Sequence, residues 1–406
     1  MADKLPVSLD AIREARARIA PYVRATPLIP LDALSKDGRK VLMKCELFQR
    51  TGSFKMRGAT NCILENLEQA KRNGVVAASA GNHAQGVAAI CKELGIRATI
   101  VMPTITPPVK IKNTLDWGAT VELHGKVVDE SFQKAQTIAK EKGNVLIHPF
   151  RDPFVMAGQG TIGLELVEDP LFQDIEAVAI AIGGGGLISG CASVIKALRP
   201  EIKVYGITAL NAPTVASSFA QKKVIEEPVQ ITLADTIATK KMDPTMLQNI
   251  LSCVDEVLGL SEESIAHAIA LLAEKAKMVV EGSGAIAVSA ILENKIPEKK
   301  IAVILCGGNI DLPSFGQVLN RGLVEQGRLV RLVVTIVDRP GGLNAVTEVF
   351  AQSGANIQQV YHQRASLEAG FGKAQIEVEI ETRGSEHTQE ILHALAQKGF
   401  QVRHAN

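Results

Sequence analysis

The chain has 406 residues, 46% of them hydrophobic, and its 44 Lys+Arg against 43 Asp+Glu leave a formal charge of +1. That balance excludes a partner selected by bulk charge, such as nucleic acid, and the apolar content excludes a disordered chain. Roughly 150 residues per domain gives two or three domains, and the apolar runs fall well short of the about 20 residues that cross a bilayer, so no membrane partner is expected.

The start, Met1-Ala2-Asp3-Lys4-Leu5-Pro6, lacks the charged-then-apolar order of a secretory signal, and cytoplasmic residence is the expectation. Cys45, Cys62, Cys91, Cys191, Cys253 and Cys306 are scattered singly, with no Cys-x-x-Cys pair. Neither a metal site nor a disulfide framework is expected, and most of these thiols read as small buried hydrophobes.

From about Gly74 onward, short runs rich in Val, Ile and Ala alternate with longer stretches of helical periodicity, the mark of βαβ units. The pattern predicts strands over Val75–Ala78, Ala98–Met102, Thr120–Leu123, Val145–Ile147, Val178–Ile182, Val204–Thr208 and Ile301–Leu305. Helices are predicted over Ala84–Leu94, Ser131–Glu141, Leu187–Leu198 and Glu262–Lys275, where apolar residues return every three or four positions. The fold class is therefore an open α/β one, and such sheets bind ligands beyond the carboxyl ends of their strands. After Asn320 the style changes. Residues 321–328 read as a polar connector, and strand, helix, strand, strand, helix, strand follow over Leu329–Val337, Gly341–Gln352, Asn356–Arg364, Gly372–Glu381, His387–Lys398 and Phe400–Arg403. This βαββαβ order is the ferredoxin-like arrangement.

Four segments at strand ends or turns carry candidate chemistry. Thr51-Gly52-Ser53-Phe54-Lys55 presents a lysine from a glycine-bearing turn; desolvation or capture by a carbonyl compound makes such an amine reactive, though most lysines are simply solvated. Gly183-Gly184-Gly185-Gly186 follows a strand and opens the helix at Leu187, which suits a phosphate: bare backbone approaches closely, and the helix adds free N–H groups. No Gly-Lys-Ser/Thr ends that loop and the Gly-x-Gly-x-x-Gly spacing is absent, so neither common nucleotide loop fits; a glycine turn packed on a neighbouring strand is the plainer alternative. Ser79-Ala80-Gly81-Asn82-His83 also joins a strand to a helix and suits a carboxylate, with His83 either a ligand contact or a satisfied helix-start histidine. Cys306 ends a strand before Gly307-Gly308-Asn309, where a thiol is a weak partner for a ring nitrogen. A reactive lysine, a phosphate loop and a carboxylate loop together suggest pyridoxal 5'-phosphate.

Gly52-Ser53-Phe54-Lys55-Met56-Arg57-Gly58-Ala59, Ser79 to Gly86, Gly183 to Leu187, Glu281-Gly282-Ser283-Gly284-Ala285 and Cys306 to Asn309 resemble, in order and rough spacing, the fold-type II pyridoxal-phosphate enzymes, and within them the threonine/serine dehydratases. The resemblance implies a tryptophan-synthase-beta-like pair of open α/β subdomains in residues 1–320, the smaller about 48–150, a linker at 321–328 and a regulatory domain at 329–406. Asp338-Arg339-Pro340-Gly341-Gly342-Leu343 resembles the start of an ACT module. Position by position, it implies Lys55 in Schiff-base linkage with Phe54 against the ring, Asn82 on the phenolic oxygen, Gly183, Gly184, Gly185, Gly186 and Leu187 on the phosphate, and Cys306 facing the pyridine nitrogen. Ser79, Ala80, Gly81 and His83 would meet the substrate, and Glu281 aligns with a carboxylate near the cofactor, unless it partners a buried base.

The activity implied is β-elimination of threonine to 2-oxobutanoate and ammonia, with serine to pyruvate second. Gly341, Gly342 and Leu343 would lie nearest an amino-acid effector, isoleucine or valine, between paired modules of a homodimer or homotetramer; a plain strand-to-helix turn is the alternative. A racemase or β-replacement enzyme is the nearest rival, and a non-catalytic amino-acid sensor the rival of another class. Serine racemases of this resemblance place a serine where Ala80 stands, so little racemisation is expected. Two departures are visible. Thr208 to Pro213 lacks the carboxylates of metal-using relatives, and Thr236 stands where the family usually has glycine.

Overall fold

Runs that are apolar at every position have no polar face to turn to water, and they become strands covered on both sides. In the computed structural model, which describes residues 5–364 and 370–405, they build two sheets within residues 1–311. The larger has the spatial order Leu28–Pro30, Lys40–Lys44, Lys300–Ile304, Ala177–Ala181, Lys203–Ala209, Glu256–Leu260. Its first pair is antiparallel and the other neighbours are parallel. The smaller runs Thr120–Leu123, Ala98–Met102, Val75–Ala78, Val145–Leu146, all parallel. The central strands Val75–Ala78 and Ala177–Ala181 are buried at every residue, whereas the edge strand Thr120–Leu123 has no buried residue.

The helix Pro153–Glu168, which periodicity did not reveal, ties the parts of the site together. It crosses the helix Lys55–Glu65 at a glycine pair: a Cβ on Gly158 would lie 2.6 Å from Gly58 Cα. It crosses the helix Gly186–Leu198 at a second pair, where a Cβ on Gly190 would lie 2.7 Å from Gly160 N. Side chains are excluded at both crossings, so the backbone that carries Lys55 and the backbone that opens at Gly186 are held at close range to one helix.

A buried charge cluster fixes the same region. Arg57 grips Glu46 through Nε and Nη2, both at 2.8 Å, and Glu165 through Nη1 and Nη2 at 2.6 and 2.9 Å. Lys44 Nζ adds a 2.6 Å bond to Glu165. Two cations and two carboxylates cancel, as charges removed from water must. Burial alone would lower the Arg57 pKa, but Glu46 and Glu165 outweigh it and raise it.

Residues 312–406 form a second compact unit. Its antiparallel sheet has the order Asn356–Gln363, Lys373–Glu381, Leu329–Val337, Gln401–His404, with helices Gly342–Ser353 and Ser385–Gln397 between, the βαββαβ arrangement expected. The connector expected at 321–328 is corrected: a helix, Leu312–Glu325, runs through most of it. Only Val318 and Gly322 of that helix are buried, one turn apart, so its largely solvated composition reads as a loop.

Candidate active site

Lys55 is the first residue of its helix because the chain before it is pinned from the other side. Phe54 N–H donates to Cys306 O at 3.0 Å, Gly308 N–H to Gly52 O at 2.9 Å, and Ser53 bridges to Gly307. Gly52 takes φ +73°, a conformation that favours glycine. The turn Gly52–Lys55 and the strand end Cys306–Gly308 are thereby one structure.

Lys55 Nζ donates to Pro149 O at 2.9 Å and lies 5.1 Å from the Phe54 ring centre. Burial, opposed by the nearby Cys306 and Glu281, brings its pKa from 10.5 down to about 8. Pro149, between His148 and Phe150, was not singled out by sequence. His148 Nδ1 accepts from the N–H groups of Phe150 and Arg151 at 3.3 and 3.0 Å, so its proton is on Nε2, and its ring meets those of Phe132 and Phe150 edge-on.

The glycine loop lies against the same segment. A Cβ on Gly184 would sit 2.3 Å from the Phe150 ring, one on Gly186 2.8 Å from Phe150 Cα, and one on Gly183 2.7 Å from Ile237 Cα; Gly185 has φ +89°. Protein packing alone therefore requires these glycines. Their fit to a phosphate is a separate observation: no side chain caps the helix Gly186–Leu198, which leaves its first-turn N–H groups, beside Leu187, for an outside anion.

A second uncapped helix, Asn82–Glu93, begins at Gly81. Ser79 Oγ accepts from Gly81 N at 3.2 Å; Ser79, Ala80 and Gly81 are half-buried, and a Cβ on Gly81 would meet nothing within 4 Å. His83 turns its ring to the protein. Its Nε2 lies 3.0 Å from the Ile147 carbonyl, which only accepts, so Nε2 carries the proton and Nδ1 is a bare lone pair without a partner. Burial, with the charge of Lys55, lowers its pKa to about 3. A neutral ring with that tautomer does not donate to a carboxylate; only the His83 backbone N–H retains that capacity.

Asn82 and Glu281 come together as Asn82 Nδ2 donates to Glu281 Oε1 at 2.7 Å. Glu281 thus partners an amide instead of a buried base, and burial followed by the charge of Asp235 raises its pKa to about 7. Burial also pushes the Cys306 thiol up, so it is un-ionised, and its hydrogen points to Ser283 O at 3.3 Å. Thr236, noted as a departure, has a partner: its Oγ1 donates to Ser283 Oγ at 2.5 Å.

Two uncapped helix starts, a lysine of lowered pKa, and the buried unpartnered hydroxyls of Thr51 and Ser53 within this turn fit a bound group that carries a phosphate and an aldehyde. Gly341, Gly342 and Leu343 lie in the second unit. Gly341 has φ +88° and precedes the uncapped helix Gly342–Ser353, beside a shallow cleft of about 540 Å³ that Arg339, His362 and Arg364 also line.

The family described as pyridoxal-phosphate dependent enzyme matches residues 19–307. An L-threonine ammonia-lyase of Thermotoga maritima is 43% identical over 399 residues, 98% of this chain and 99% of that protein. Among solved structures, a threonine deaminase from T.th. is 38% identical with a TM-score of 0.70, covering 75% of this chain and 99% of its own. Maize serine racemase is 36% identical with a TM-score of 0.72, covering 79% and 99%. The lysine, the two anion-ready helix starts and these matches converge, and the chain belongs to the pyridoxal-phosphate dependent enzyme family.

Proposed function

We propose that the chain is an L-threonine ammonia-lyase that converts threonine to 2-oxobutanoate and ammonia, with serine to pyruvate as a slower reaction. The observation that carries the reading is Lys55, half-buried and of lowered pKa, in a domain with two uncapped helix starts and in a chain 43% identical along its length to an enzyme of that name.

Pyridoxal phosphate, when bound, supplies the electron sink that acidifies the substrate Cα–H bond. The chain supplies the rest. The helix start at Gly186 and Leu187 holds the phosphate, and the Ser79–Gly81 loop with the first-turn N–H groups of the next helix receives the substrate carboxylate. Lys55, freed by the incoming amine, takes the Cα proton as general base, for which a pKa near 8 is suited. Loss of the β-hydroxyl as water and hydrolysis of the released enamine give the oxo acid and ammonia. Cys306, protonated and turned to Ser283 O, offers no negative charge to the ring nitrogen, which disfavours a long-lived carbanion.

Fold similarity does not separate this reading from racemisation, since the threonine deaminase and serine racemase structures are equally near. Ala80 favours elimination because a methyl group moves no proton. We place the enzyme in the cytoplasm, a reading supported by six buried, unpaired cysteines. We also assign residues 329–406 to an ACT module, paired in a homodimer or homotetramer, with isoleucine or valine held near Gly341, Gly342 and Leu343. The test is oxo-acid release from threonine and from serine, with and without isoleucine and valine. Faster turnover of threonine supports the reading, turnover of neither refutes it, and indifference to both effectors removes the regulatory part.

A further inference from the structure

The amide of Asn82 is held at both ends. Its Nδ2 donates to Glu281 Oε1 at 2.7 Å, and its Oδ1 accepts from Asn309 Nδ2 at 2.8 Å. Asn309 Nδ2 also donates to the Thr51 carbonyl at 2.8 Å. A backbone carbonyl only accepts, so it fixes which end of Asn309 is nitrogen, and Asn309 in turn fixes which end of Asn82 is oxygen. Reversing either amide sets oxygen against oxygen. Asn82 is 7% exposed and Glu281 5%, so water does not relieve such a clash. Gly307 makes the room: a Cβ there would lie 2.5 Å from Glu281 Oε1.

Glu281 and Asn309 thus form the two ends of a directional chain beside Lys55. One hydrogen of Asn82 Nδ2 is committed to Glu281, and its oxygen is committed to Asn309. We infer that Glu281 and Asn309 are positioning residues that set the polarity of the Asn82 amide, leaving it one N–H, and no carbonyl, for an anionic oxygen of the group bound beside Lys55. The inference rests on the pyridoxal-phosphate reading of that pocket. Its requirement at position 281 is an acceptor, not a charge. The charged groups around Glu281 are Lys55, Asp235 and Lys110, with the Cys306 thiol and the Asn309 backbone N–H also facing it.

The experiment compares E281Q, E281L and N309D with the wild-type chain, each loaded with pyridoxal phosphate. The readouts are the absorption maximum of the bound cofactor and its dissociation constant, with a thermal melt to establish folding. Glutamine keeps an acceptor for Asn82 Nδ2, so E281Q is expected to keep the wild-type maximum and an affinity within about threefold. E281L removes the acceptor, and N309D sets an oxygen against Asn82 Oδ1; each is expected to shift the maximum and weaken affinity tenfold or more. A folded N309D or E281L with the wild-type maximum and affinity overturns the inference. If neither folds, E281Q still decides: an unchanged maximum upholds the acceptor requirement, and a shifted one overturns it. A wild-type chain that takes up no cofactor refutes the reading beneath the inference, and the inference with it.

Discussion

Lys55 Nζ donates to the backbone carbonyl of Pro149 at 2.9 Å, linking the start of one helix to a strand exit 94 residues away. That carbonyl orients the amine without ionising it, and burial lowers its pKa to about 8. Free-base amine, the form that attacks an aldehyde, therefore accumulates as pH rises through about 8 instead of 10.5. The rate at which cofactor-free protein takes up pyridoxal phosphate is expected to rise about tenfold per pH unit below about 8 and to level off above it. Stopped-flow absorbance from about pH 6.5 to about pH 9.5, spanning the lowered and the ordinary lysine range, checks this.

Gly186 packs on the same segment as Lys55. A Cβ there would lie 2.8 Å from Phe150 Cα and O, atoms that move only with the backbone. Gly186→Ala is expected to displace Phe150, and Pro149 with it, at an overpacking cost of about 1–3 kcal/mol. Cofactor affinity, read by fluorescence titration, should fall roughly tenfold or more.

Ala80 sits within the Ser79–Gly81 loop with no proton to give. Wild-type protein is expected to release oxo acid from L-serine at least about a hundredfold faster than it forms D-serine, a ratio of about 2.7 kcal/mol in barrier height. Ala80→Ser should raise D-serine formation without abolishing elimination. Chiral chromatography of the reaction mixture measures both.

Arg57, 1% exposed, neutralises Glu46, which is fully buried. Arg57→Met leaves that carboxylate uncompensated and is expected to destabilise the protein by about 3–5 kcal/mol, with part of the loss recovered on adding Glu46→Gln. Urea unfolding followed by circular dichroism reads the difference.

The central strands were legible because they are covered on both faces. Val75–Ala78, Ala98–Met102, Thr120–Leu123 and Leu329–Val337 end at the residues that the apolar runs predict. The helices Pro153–Glu168 and Gly282–Leu292 were not legible for a related reason: buried nearly all round, they show no polar face and so no period. The local motifs exposed Lys55, Asn82, Glu281 and Cys306. The partner of Lys55 at Pro149 was hidden, because a backbone carbonyl leaves no spacing to recognise, and although Asn309 and Ser283 lie inside recognised motifs, that they hold Asn82 and Cys306 was not legible there. His83 shows the limit from the other side: its position reads either as a ligand contact or as a satisfied helix-start histidine, and the Ile147 carbonyl that sets its tautomer is not visible in the motif.

The central claim is that Lys55 carries the cofactor. Borohydride reduction of the loaded protein, followed by peptide mass mapping, tests it directly. A pyridoxyl phosphate adduct on the peptide containing Lys55, absent from Lys55→Ala, is the predicted result. An adduct on any other lysine, or none at all, contradicts the account.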